Sequence, residues 1–281
     1  MDNRKSTKFL RQNLILYMAG FLILLGMKYL YSKADAESLR WILGPTARWV
    51  EALSGIPFVY APGMGYANHE LRFLIAPSCS GVQFIIITAA MLFFSFSHRV
   101  GCHRVGCHRV GCRRAANIPE RLLPEIPRAA LGLGWLAASL FLSYLFTILV
   151  NGLRIVAAIY LPPIFERTGV LGGWLTPERL HTMIGAVVYF AALLTIYRLA
   201  GLLFDSFQGA EKGTPSASIL RRCLSPVFWY FFIVLGIPFL NRAWRSGRFT
   251  EFALLVSLCC GSVLVLYGLA ILFHRLLRHK G

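Results

Sequence analysis

Five stretches of the chain, at roughly 12–31, 73–97, 129–161, 182–204 and 252–273, are about 20 or more residues long and almost free of charge. About 20 apolar residues in a helix cross the ~30 Å hydrocarbon core of a bilayer. A shorter run from Pro226 to Leu240 is a weaker sixth candidate. The pattern predicts an all-α polytopic integral membrane protein with about six transmembrane helices. Only 15% of residues are charged, against about a quarter in soluble domains, and the mean hydropathy is +0.61. The first run is expected to stay as a membrane helix. It is longer than a signal-peptide core, and no small-x-small cleavage site precedes Lys33.

Lys and Arg outnumber Asp and Glu by 29 to 12, a net charge of +17. Nucleic-acid binders are polar chains with a basic face, whereas these cations sit between apolar runs, so the bilayer is the expected partner and nucleic acid is not. Sorted by side of the membrane, 18 fall on one side, in the N-terminal arm, the loop after the second run, the loop after the fourth and the tail. Ten fall on the other. The positive-inside rule then places the chain in the cytoplasmic (inner) membrane with both termini cytoplasmic. Residues 98–114 read HRVGCHRVGCHRVGCRR, three copies of HRVGC. Their five-residue Cys and His spacing is borderline for one zinc-site pattern and loose for the other, and a tandem repeat of this kind is read as a basic cytoplasmic loop insertion, with a metal site as the lesser alternative. No metal or cofactor is expected, and Cys223, Cys259 and Cys260 are read as small apolar residues.

Polar groups in spanning helices are costly, which makes each one a functional hypothesis. Cys79, Arg154 and His181 stand out, and the topology brings all three to the outer face. Pro77 suits a first helical position, which would put Cys79 in the first turn of the second span, where thiolate is favoured. Arg154 lies in the outer third of the third span, with Asn151 one turn earlier and Pro162–Pro163 expected to end the helix. Its alternative is snorkelling to the headgroups. Thr176, Pro177 and Glu178 form a helix start with His181 about one turn in. A nucleophile, a base and a cation are the parts of acyl transfer at a peptide carbonyl.

Ser78-Cys79-Ser80-Gly81, Asn151-Gly152-Leu153-Arg154-Ile155 and His181-x-x-x-Gly185 resemble the three signature blocks of the exosortase/archaeosortase family. Those blocks read small-Cys-Ser/Ala-Gly, Asn-x-x-Arg-Ile and His, in that order. The segment from Trp41 to Phe84 looks like the exosortase K subgroup, and the match covers roughly residues 28–200. The HRVGC repeat departs from the family pattern. The resemblance implies a catalytic membrane domain over residues 1–204 and a two-helix membrane extension over 205–281. It also implies a cysteine-dependent protease/transpeptidase acting at the outer face through a Cys79 thioester, with Arg154 and His181 as catalytic partners. Its substrates would be exported proteins with a C-terminal tripartite sorting signal: a short motif, a transmembrane helix and a basic cluster. The resemblance leaves the acceptor amine open.

Residues 56–75 alternate apolar and polar side chains around Gly63-Met64-Gly65, as in a short outer-face hairpin. Phe58, Tyr60 and Tyr66 are expected to help bind substrate, with Ser80, Gly81 and Asn151. An interfacial aromatic belt is the plain alternative for those rings. The rival function is a non-enzymatic transporter or membrane scaffold. A transporter would carry internal repeats and broken helices at the midplane, and neither is evident in the sequence.

Overall fold

The computed structural model describes residues 3–102, 128–169, 173–207 and 219–279. Beyond its first copy, which prolongs a helix, the HRVGC repeat lies outside the described residues. The elements are α1 (Asn3–Ser32), α2 (Arg40–Ser54), β1 (Val59–Ala61), β2 (Gly65–Asn68), β3 (Phe73–Ile75), α3 (Val82–Cys102) and α4 (Arg128–Arg167). There follow α5 (Pro177–Phe207), α6 (Ile219–Phe231), a π-helical turn (Phe232–Gly236), α7 (Ile237–Leu240) and α8 (Gly247–His279). Among the described residues, five segments are long and apolar enough to cross a membrane: Leu14–Ser32, Pro77–Ser97, Ala130–Arg167, Pro177–Ser206 and Gly247–Phe273. The apolar stretch Leu224–Leu240 is shorter. Within it, Pro238 has no N–H to donate to Val234, and a π-turn is one way a helix absorbs such a gap.

Helix α3 is the centre of the bundle. Of its apolar window 78% is buried, against 11% for that of α1, and α1, α4, α5 and α6 all pack on it. Between helices in a bilayer the association comes from close packing more than from the hydrophobic effect, and α4 shows the means. Ser139, Ser143, Thr147 and Asn151 recur every fourth residue and are fully buried, giving α4 a narrow inward face. Stacked rings join α3 to its neighbours: Phe84 on Tyr189 at 4.6 Å, Phe96 on Phe204 at 5.1 Å and Phe94 on Trp229 at 5.1 Å. Such pairs contribute about 0.5–1.5 kcal/mol each beyond burial.

Two features differ from the sequence expectation. Helix α4 does not end at Pro162–Pro163 but continues to Arg167. The two prolines remove two backbone donors, yet their fixed φ is helical. Helix α2 is an amphipathic helix that the apolar-run reading passed over. Its Ile42, Leu43, Ala47 and Val50 are buried, and Trp49 donates to the Leu149 carbonyl of α4 at 3.2 Å.

Where a hairpin was expected the chain forms three antiparallel strands in the order β1-β2-β3, with Tyr60 opposite Tyr66 and Tyr66 opposite Ile75. Gly65 has φ +123°, and a Cβ there would meet the Ile75 carbonyl oxygen at 2.3 Å, so only glycine fits. The sheet is fastened to the α1–α2 corner. Tyr60 donates its hydroxyl proton to Glu37, which pushes the phenol above its usual range. The Arg40 guanidinium lies over the Tyr60 ring at 4.6 Å. Asp35 accepts from the Ser38 hydroxyl and backbone, which holds its carboxyl below the usual range. Glu51 accepts from the Phe58 backbone at 2.6 Å.

Candidate active site

Strand β3 runs directly into a 3-10 turn over Pro77–Cys79, with Pro77 at its first position and the Cys79 N–H donating to Ala76 at 2.8 Å. The turn does not merge into α3. Gly81 adopts φ +75° and interrupts it, and α3 begins at Val82. Cys79 therefore stands ahead of the helix, not within its first turn as the Pro77 signal implied. Proline starts a 3-10 turn as readily as an α-helix, because either leaves its N–H position unpaired.

Gly81 is needed for close approach as well as for its backbone angle. A Cβ there would lie 2.8 Å from the Thr147 methyl and 3.2 Å from the Asn151 side chain. This contact brings the α4 amide onto the turn. Asn151 donates through Nδ2 to the Cys79 carbonyl at 2.6 Å, and its Oδ1 accepts from the Tyr189 hydroxyl at 2.7 Å. One buried amide thus joins the turn, α4 and α5, which fixes both ends of its orientation.

Arg154, one turn after Asn151, is 8% exposed. It does not snorkel. Its Nη2 lies 2.7 Å from His181 Nε2, and its guanidinium sits 5.4 Å from the centre of the Tyr189 ring. A guanidinium only donates, so His181 accepts at Nε2 and carries its proton on Nδ1 as a neutral ring. Arg154 Nε is buried and has no hydrogen-bond partner among the described residues. Buried donors are nearly always paired, and this is the one charged group among the buried unpaired side-chain atoms of the described residues. Gly185 makes room for the guanidinium, since a Cβ there would lie 3.2 Å from Nε. His181 is solvent-exposed at the fifth residue of α5. It is set there by Thr176, whose hydroxyl accepts from the Arg179 N–H at 3.3 Å as an N-cap.

Arg154, His181 and Gly185 border a cavity of about 220 Å³, whose wall also includes Ser78, Gly81 and Gln83; Cys79 and Asn151 lie behind that wall and do not line it. Tyr189 links the two pairs: Asn151 bonds both the Cys79 carbonyl and the Tyr189 hydroxyl, and the Arg154 guanidinium, which meets His181, lies near the Tyr189 ring. Ser80 is fully buried at the start of α3, where its hydroxyl faces the Val82 N–H at 3.5 Å. Phe58, Tyr60 and Tyr66 do not line the cavity. Phe58 is buried edge-on to Phe73, and Tyr60 meets Tyr66 in the contacts that fasten the sheet. No group of three or more His, Cys, Asp or Glu suited to a metal occurs among the described residues.

Tyr189 escaped the sequence reading, although it lies two helical turns beyond His181, with Gly185 midway. An aromatic residue inside an apolar run carries no mark of its own there. No protein-family model matches the chain, and neither does any curated protein or solved structure.

Proposed function

We propose that the chain is a membrane cysteine protease/transpeptidase of the exosortase/archaeosortase type. It cleaves a C-terminal sorting signal of exported proteins at the outer face of the cytoplasmic membrane. The observation that carries this reading is the buried Arg154. It holds His181 with one nitrogen, follows Asn151, the partner of the Cys79 carbonyl, by one turn, and has a second N–H with no partner among the described residues.

In the proposed reaction the Cys79 thiol gives its proton to His181 and, as a thiolate with Arg154 as counter-charge, attacks the scissile carbonyl. A C–S bond forms and the carbonyl π pair moves onto oxygen, where Arg154 Nε donates to it. Neutral His181 is the form a general base requires. Its Nε2 lone pair is engaged by Arg154, so the Nη2–Nε2 contact opens as the thiol proton arrives. The oxyanion pair then re-forms the C=O as the C–N bond breaks, and the imidazolium beside a guanidinium gives that proton to the departing amine. The thioester is resolved by an acceptor amine or by water.

A reporter ending in a membrane helix and a basic cluster, taken from exported proteins of the same genome, tests the reading. Wild-type protein should shorten the reporter, and Cys79→Ala should leave it full length on an immunoblot. Continued processing by Cys79→Ala would sink the thiol mechanism.

A further inference from the structure

The catalytic candidates occupy only part of the cavity wall. Another part comes from the C-terminal helices: Tyr230 of α6, Val234 of the π-turn, and Phe252 and Val256, one turn apart on α8. Three of these four are purely apolar. Tyr230 is 3% exposed and packs edge-on against Phe190 at 5.2 Å, yet its hydroxyl makes no hydrogen bond to any protein group among the described residues. Unlike Arg154 Nε, that hydroxyl is not a fully buried unpaired atom, so it is open at the cavity wall, where an incoming group can bond to it. It borders the same cavity as Arg154. The π-turn contributes Val234 to the wall, and such turns recur at functional sites. The cavity volume of about 220 Å³ is several times the ~30 Å³ that one water occupies, enough for a side chain.

We infer that Tyr230 is a substrate-positioning residue, whose hydroxyl hydrogen-bonds the peptide beside the reacting carbonyl while Val234, Phe252 and Val256 receive an apolar side chain of that peptide. The C-terminal helices are then part of the specificity site and not an appendage. This rests on the thiol reading of Cys79, and the two are separable by experiment.

Full-length protein in membranes is treated with acetyl-Ala-Leu chloromethyl ketone, acetyl-Ala-Asp chloromethyl ketone or iodoacetamide. The rate of alkylation at Cys79 is followed by peptide mass spectrometry. The Leu reagent should outpace the Asp reagent at least about tenfold, and Tyr230→Phe should slow the Leu reagent about tenfold, the scale of one lost hydrogen bond. Val256→Trp, which fills the pocket, should block both peptidyl reagents. Iodoacetamide needs no wall, and its rate should stay unchanged in both variants, which also reports an intact fold. Unchanged Leu-reagent rates in Tyr230→Phe or Val256→Trp would overturn the inference and leave the thiol reading standing. A wild-type Cys79 that no reagent alkylates would overturn both.

Discussion

Arg154 divides its nitrogens between two tasks: Nη2 is bonded to His181, and Nε is left free. A planar fork with several fixed donors does this; a single ammonium does not. Arg154→Lys should therefore fail to rescue function although it keeps the charge. Processing of the reporter by that variant should fall at least ~100-fold, the usual cost of removing one oxyanion donor, as measured by initial rates in membranes. A rate within tenfold of wild type would show that charge alone suffices. Residue chemistry of this kind was partly legible in the sequence. A lone Arg inside an apolar run is conspicuous because its burial is costly. What the sequence withheld was the set of its neighbours, since Tyr189 and Tyr230 are indistinguishable in a linear run from rings that merely pack.

At the scale of elements, the 3-10 turn and α4 meet through the missing side chain of Gly81. Gly81→Ala places a Cβ at φ +75°, costing about 1–2 kcal/mol in backbone strain, and presses on Thr147 and Asn151. The variant should melt in detergent several degrees lower, at about 2–4 °C per kcal/mol for a domain of this order. Adding Thr147→Ser, which removes the crowding methyl, should recover part of that loss. No recovery would mean that strain and not contact dominates. The long helices were legible because hydropathy is local and additive along a segment. Helix α2 was not, because Arg40, Arg48 and Glu51 interrupt its apolar residues and its buried face has meaning only against α4. The end of α4 was misjudged for the opposite reason: Pro162–Pro163 read as a stop, yet neighbouring turns carry the helix past them.

For the whole molecule, the weight falls on Leu224–Leu240. Seventeen residues at 1.5 Å each reach about 26 Å, slightly under the ~30 Å hydrocarbon thickness. If that stretch crosses, the termini lie on the same side; with five crossings they lie on opposite sides. The distribution of Lys and Arg favours the first arrangement. Alkaline phosphatase fused after Gly281 should then be inactive in cells and active when fused after Trp174. Activity at both positions would reduce the count to five.

The cavity takes its walls from Tyr31 near the start of the chain to Val256 near its end. At synthesis rates of ~5–20 residues per second, roughly 10–35 s separate the emergence of Cys79 from that of Val256. For that interval the turn that carries Cys79 is made without the walls that Tyr230, Val234, Phe252 and Val256 supply. Under the proposed mechanism the order of the chain then acts as a timer: the nucleophile is made early, and the walls that would make it selective follow with α6 and α8.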